Sequence, residues 1–272
     1  MDHQPSYFAP DGRIPPQTAM VTSKVLVTPE YAIIPASSIT DNVRSNFPDW
    51  INSRCWVLSA PAMGHASGFV QYLIYIDENG SCARPEEETG VESFLFVLEG
   101  DLSLTISRSE HQLERGGFAF IPASAEWSVK NASQATVKFL WLRKAFEPAG
   151  GLNPAAIVGN ERTTPFNRSI HTSQKWTTNL IPTNDMAYDF HMNIVSFGPG
   201  LNISFIEAHI MEHGLYMLEG RGLYLLNDRW HEVEAGDFIW MKAFCPQTFQ
   251  ASGETPARYL LYKNMNRQIR LT

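Results

Sequence analysis

The stretch Ser93-Phe-Leu-Phe-Val-Leu-Glu-Gly100 and the stretch His213-Gly-Leu-Tyr-Met-Leu-Glu-Gly220 lie 120 positions apart, with Leu, Leu, Glu and Gly at the same four places. The register continues in both directions. Downstream, Glu114, Gly116 and Phe118 fall on Glu234, Gly236 and Phe238; upstream, Ile74, Gly80 and Glu87 fall on Ile194, Gly200 and Glu207. Matching glycines weigh most, because they mark turns that need unusual backbone angles or close approach. Three such clusters in one register read as two copies of one module. A connector containing Pro, Gly and Asn runs through 147–169. The expected division is therefore 1–148 for the first module with a leading edge segment, and 149–272 for the connector and second module. The residues before about Pro61 are expected to add edge strands to the first module or to reach across to the second.

Each module reads as β structure. Short apolar runs such as GFVQYLIYI (68–76), TVKFLWL (136–142), MNIVSF (192–197), DFIWMK (237–242) and RYLLYK (258–263) are bounded by Gly, Pro, Asn or Asp. Turn signals recur every 8–12 residues or so, the pattern of an all-β barrel or sandwich. Helix candidates are few; VRSNFPDWINS (43–53) is interrupted by Pro48 and supplies at most a turn or two.

Composition narrows the function. Among 272 residues, 21 Lys and Arg face 28 Asp and Glu, a net charge of −7, and 44% are hydrophobic. Such a chain forms a core, and its acidic balance argues against a nucleic-acid partner. No run of about 18 apolar residues occurs, so no membrane span is expected. MDHQPSYFAPDGRIPP at the N-terminus has neither a basic nor an apolar region of a secretory signal. The three cysteines Cys55, Cys82 and Cys245 form no CxxC pair and no disulfide framework, and Cys245 is expected to pack. A cytoplasmic protein is the expectation.

Chemistry concentrates between Gly200 and Gly220, G-L-N-I-S-F-I-E-A-H-I-M-E-H-G-L-Y-M-L-E-G, and in G-D-F-I-W-M-K-A-F-C-P-Q from Gly236 to Gln247. In a regular strand Glu207, His209, Met211 and His213 share one side and can converge inside a small barrel.

This spacing resembles the two cupin motifs, in which a glycine leads to His-x-His, a Glu and another Gly, and a second segment ends in His. On that pattern Glu207 and His209 take the first two His places, His213 the Glu place and Gln247 the last His place. Glu-x-His-x3-His with a distant Gln is similar to the set in the (S)-ureidoglycine aminohydrolases of purine and allantoin catabolism. IEAHIMEHG (206–214) and the tail RYLLYKNMNR (258–267) extend the likeness. The resemblance implies a bicupin, two tandem double-stranded β-helix (jelly-roll) barrels with few short helices. It implies a Mn²⁺ site at Glu207, His209, His213 and Gln247, and a hydrolase that releases ammonia from (S)-2-ureidoglycine to give (S)-ureidoglycolate. Lys263, Tyr259 and Glu207 would then be the catalytic residues, and Tyr224, Tyr259, Lys263 and Gln247 would bind the substrate. Bicupins of this kind also generally form homo-oligomers.

One carboxylate, two imidazoles and one amide make a nitrogen and oxygen site with no thiolate, suited to Mn²⁺, Fe²⁺ or Ni²⁺ rather than structural zinc. Four protein ligands leave two positions of an octahedron open. Two alternatives remain open: a cupin dioxygenase using Fe²⁺ and O₂, or a cupin that binds a ligand without chemistry. In the first module the matching residues are Glu87, Thr89, Ser93 and Trp127, so that module is expected to hold no metal and to serve packing and assembly.

Overall fold

The structure is a computed structural model, and it describes residues 25–63, 67–169 and 175–268; His65 and His171 lie outside them. Within these residues the chain is all-β, its only helical turns being the short 3₁₀ segments Ala36–Ser38, Asp41–Val43 and Pro61–Met63. The helix candidate 43–53 forms no helix: the 3₁₀ turn Asp41–Val43 ends at its first residue, and the strand Ile51–Ser59 takes up its last three.

The two modules repeat one strand order. In the first, Val137–Ala145 lies between Val70–Cys82 and Val91–Glu99, with Gly117–Ile121 beyond the latter. In the second, Ala257–Asn264 lies between Phe190–Phe197 and His213–Glu219, with Phe238–Met241 beyond the latter. A smaller set of strands closes each barrel, Leu102–Ile106 with its neighbours in the first and Arg221–Leu226 with its neighbours in the second.

Period-two alternation sorts the side chains into three cores. Val195, Phe197, Leu215, Met217, Tyr259 and Leu261 fill the second barrel. Their neighbours Met192, Ile194, Tyr216, Leu260 and Tyr262 point the other way, into a layer shared with Phe94, Phe96, Leu140 and Leu142 of the first module. Leu95, Val97, Phe139 and Trp141 fill the first barrel. The two large sheets thus pack back to back. Burying each such side chain is worth roughly 1.5–3 kcal/mol before entropy, which makes the shared layer a main source of cohesion between modules.

Strands are also exchanged between the modules. Tyr31–Ile34 pairs with Phe238–Met241 of the second module, and Ile157–Asn160 pairs with Gly117–Ile121 of the first. Ile51–Ser59 joins the first module's sheet, so the described part of the leading segment contributes strands to both modules where one or the other was expected.

The repeat is not gapless. Ser93 pairs with Arg143 as His213 pairs with Lys263, which keeps the 120-residue offset. In the preceding strands Ile74 faces Phe139 as Val195 faces Tyr259, an offset of 121. Asn79 and Gly200, both at positive φ (58° and 75°), keep that second offset, whereas Gly80 is not at positive φ. The matches of Ile74 and Gly80 to Ile194 and Gly200 are therefore corrected by one position. The first module has one more residue in the loop before Ser93, a change that an ungapped comparison cannot register.

The glycines of the opening motif do have a shared backbone cause. Gly100 and Gly220 sit at φ +77° and +73°, and a Cβ on Gly220 would lie 2.4 Å from the Pro256 carbonyl oxygen. Gly220→Ala is expected to cost about 1–3 kcal/mol from the backbone angle alone, with the clash adding to it, read as a fall in thermal midpoint. An unchanged midpoint would contradict this reading of the turn.

The shared layer also buries charge. Lys144 Nζ lies 2.6 Å from Asp189 Oδ2, with both side chains out of solvent. Beside them Glu92 is fully buried, with its carboxyl against that of Asp189. Burial, then the neighbouring Asp189, pushes the Glu92 carboxyl far above the ordinary carboxylate range. The folded state thus keeps a proton that the unfolded chain gives up above a pH of about 4.3, so this contribution to stability falls as pH rises through that window. Glu92→Gln, which keeps the shape without the ionisation, is expected to flatten the fall of thermal midpoint between pH 5 and 8. An identical slope in both proteins would refute the assignment.

Candidate metal-binding and catalytic site

The regular strand expected from Glu207 to His213 does not form. From Gly200 to Glu212 the chain makes isolated bridges only, Asn202 with Gln250 and Glu207 with Gln247, and the ladder begins at His213. The reason lies in the backbone bonds. Glu207 and Gln247 exchange N–H···O bonds of 2.8 Å in both directions, and the His209 carbonyl accepts the Phe244 N–H at 2.5 Å. Phe244 itself turns through φ +63°. These ties bind the loop to the start of strand Gln247–Ala251.

The loop brings the expected residues to one end of the second barrel by this route instead. Glu207 Oε2 lies 3.2 Å from His209 Nε2, and the His209 and His213 ring centroids are 5.5 Å apart. Gln247, buried, accepts the Tyr224 hydroxyl at Oε1 across 2.8 Å. Among the described residues no three His, Cys, Asp or Glu side chains close round a common point as they stand. What the structure does place together is the Glu207–His209 pair, with His213 one ring further and Gln247 bridged to Glu207 through the backbone.

The donor chemistry fits a divalent cation. Two neighbouring donors on an octahedral ion with bonds of about 2.1 Å stand about 3 Å apart, close to the Glu207–His209 separation. His213 hydrogen-bonds through Nδ1 to the Glu212 carbonyl at 2.9 Å, which leaves Nε2 as the lone-pair nitrogen. Burial, against the opposing Glu212 bond and helped by the Lys263 ammonium, pushes His213 down to about 3, so no proton competes for that nitrogen at neutral pH. Glu212 is itself buried and held by Gly68 N at 3.0 Å and Trp240 Nε1 at 2.5 Å, and burial raises its carboxyl to about 7. Through Gly68 the first module therefore braces the residue that orients His213, a link between modules that the sequence reading missed. Gly214 is required beside it, since a Cβ there would lie 2.4 Å from the Phe69 ring.

Lys263 is the cross-strand partner of His213 and stands on the same barrel face as Tyr259 and Leu261. Burial lowers its proton affinity, and the Glu207 carboxylate works in the opposite direction. Tyr259 is buried, its ring 6.5 Å from that of Tyr224, and burial followed by Glu207 raises its hydroxyl well above the ordinary phenol value. Cys245 is buried in the barrel core with its thiol raised by burial, as expected of a packing residue.

Two further side chains face this barrel and were not singled out from sequence. His191 and Asn193 lie on strand Phe190–Phe197 in phase with Val195 and Phe197, and they pair with Lys263 and Leu261. The signal was available in the polar residues at alternate positions of FHMNIVSF. Asn266 Nδ2 donates to the Tyr188 carbonyl at 2.9 Å and lies 3.3 Å from His191 Nε2, while burial and then Lys263 push His191 down to about 4.

The first barrel is filled at the corresponding place. Trp141 Nε1 donates to Ser93 Oγ at 3.0 Å, and Trp50, Tyr72 and Trp127 pack around the Trp141 ring at 5.6, 5.2 and 5.5 Å. Beside Glu87 stands Glu86, which meets Arg143, the counterpart of Lys263. Glu86 is held by Arg143 through Nε at 2.6 Å and also through Nη2, where Glu88 joins at 2.7 Å. An ion pair and four aromatic rings thus occupy the space of the site.

Residues 73–143 and 193–262 each match the cupin domain family. The chain is 36% identical over 242 residues to an (S)-ureidoglycine aminohydrolase of Arabidopsis thaliana, covering 88% of this chain and 76% of that protein. It is 27% identical over 242 residues to an (S)-ureidoglycine aminohydrolase of Escherichia coli, covering 89% and 90%. A crystal structure from Pseudomonas aeruginosa, described as a glyoxylate-induced protein, superposes with a TM-score of 0.86 at 43% identity, covering 92% of this chain and 94% of that one. With two cupin modules and this degree of identity along nearly nine-tenths of its length, the chain belongs to the (S)-ureidoglycine aminohydrolase family of cupins.

Proposed function

We propose that this protein hydrolyses (S)-2-ureidoglycine to (S)-ureidoglycolate and ammonia, using a divalent cation held by Glu207, His209, His213 and Gln247. Mn²⁺ suits this oxygen-and-nitrogen set, with Fe²⁺ and Ni²⁺ as weaker alternatives. The observation that carries the reading is the placement of Lys263 and Tyr259, both on the barrel face that Glu207 acts on electrostatically, in a chain of this family. A bound cation supplies Lewis acidity and a template for a chelating substrate.

The protein residues divide the remaining work. One C–N bond of the substrate breaks and one C–O bond to water forms, so a proton must pass from the water to the departing amine. Lys263, whose proton is held less tightly than in water, is suited to hand a proton to that amine and to take one back. Its charge also draws the substrate carboxylate into an otherwise acidic protein. Tyr259 stays protonated and donates a hydrogen bond. Tyr224 directs the Gln247 amide oxygen. Glu207 assists from the same end of the barrel. The chain is expected to act as a homo-oligomer on this small ureide, with end strands such as Ser109–Leu113 and Phe166–Arg168 available at sheet edges among the described residues. No helix of those residues is long and apolar enough to cross a membrane.

Ammonia release from freshly prepared ureidoglycine, measured with Mn²⁺ and after chelation, tests the assignment. Release well above the spontaneous rate, lost on chelation and restored by Mn²⁺, is expected. A rate equal to the spontaneous one under both conditions would sink it.

A further inference from the structure

The second barrel contains a polar group that the mechanism leaves unused. Asn193 is 6% exposed, and its Oδ1 has no hydrogen-bond partner. A buried amide oxygen in that state is costly, and a leucine of nearly the same size would be more stable there. The side chain does not face the layer between modules: it is in phase with Val195 and Phe197, which fill the second barrel. Its cross-strand partner is Leu261, so Tyr259 and Lys263 are its diagonal neighbours on the same face. The first module supports this placement. There Tyr72 faces Trp141 as Asn193 faces Leu261, and the Tyr72 side chain interacts with Arg143, the counterpart of Lys263. The filled barrel thus carries a bulky ring at the position where the candidate site carries an orphaned amide oxygen.

We propose that Asn193 is a specificity-determining residue that reads the ureido end of the substrate, with Oδ1 accepting an N–H of the carbamoyl group. An amide oxygen only accepts, so the substrate carboxylate cannot satisfy it, whereas the carbamoyl group offers N–H donors and a carbonyl that Nδ2 can meet in return. A site built to bond an N–H rejects an analogue lacking it, because the site's own group is then left unpaired. The inference rests on the ureidoglycine reading above.

The test compares two stable ligands that lack the reacting amine, N-carbamoylglycine and N-acetylglycine, which differ in a terminal NH₂ against a methyl group. Each is titrated calorimetrically into the Mn²⁺-loaded full chain, wild type and Asn193→Leu, alongside metal content and thermal midpoint. The wild type is expected to bind the carbamoyl ligand about tenfold or more tightly than the acetyl one. In Asn193→Leu the ratio is expected to fall to near one, with metal content unchanged and the midpoint unchanged or higher. Asn193→Ala gives the same readout should the leucine variant fail to fold. A ratio kept in the variants, or absent from a wild type that releases ammonia, overturns the role of Asn193. A wild type that releases no ammonia from ureidoglycine instead overturns the underlying reading.

Discussion

His213→Ala is expected to give a folded protein that purifies without stoichiometric metal and releases ammonia from ureidoglycine at the spontaneous rate. His213 is the candidate ligand with the most support behind it. Its Nδ1 is committed to the Glu212 carbonyl at 2.9 Å, and the Glu212 side chain is clamped by Gly68 and Trp240. The imidazole is buried and its proton affinity is lowered by burial, so its remaining nitrogen keeps a lone pair for a cation. Removing only an outer-sphere partner of a metal-bound histidine commonly costs 10–100-fold in affinity, so loss of the ligand itself should exceed about 100-fold. The fold should survive, because the layer shared by the modules is built from the opposite face of the same strand. Elemental analysis and the ammonia assay read the two effects independently. Full turnover by a metal-free His213→Ala protein would rule out the mechanism.

Lys263→Met should separate metal binding from proton handling. Methionine keeps much of the length and apolar stem of lysine without the ammonium, so metal content and thermal midpoint should stay near wild type. The rate constant of turnover should fall about 10²–10⁴-fold, the range for losing a positioned acid–base group. The geometric basis is its pairing with His213 on the barrel face of strand Ala257–Asn264, close enough to Glu207 for the carboxylate to oppose the effect of burial on its proton. A drop confined to KM, with turnover intact, would leave Lys263 as a substrate anchor and remove it from the chemistry.

How much of this was legible beforehand follows from which physical signals survive in one dimension. Alternating apolar residues and turn glycines are local, so the all-β modules and the Gly100/Gly220 turns could be read directly. The exchange of Tyr31–Ile34 and Ile157–Asn160 between sheets is long-range pairing with no local mark. The extra residue before Ser93 left the strongest motifs aligned and displaced the strand before it by one position. Strand alternation reached Glu207, His209 and His213, yet only His213 lies on a strand; Glu207 and His209 sit on an irregular loop set by the Glu207–Gln247 bridge and the turn at Phe244. Asn193 and His191 were overlooked because neither shows ligand spacing; their relevance comes from the cross-strand register with Leu261 and Lys263, which only the folded sheet supplies.

Anomalous diffraction at the manganese edge, from a crystal of the full chain grown with Mn²⁺, examines the proposed centre most directly. One strong peak bonded to the Glu207 carboxylate, the His209 and His213 imidazoles and the Gln247 amide oxygen is expected, with no counterpart among Glu86, Ser93 and Trp127 of the first barrel. A peak held by other residues, or none in the second barrel at saturating Mn²⁺, would contradict it.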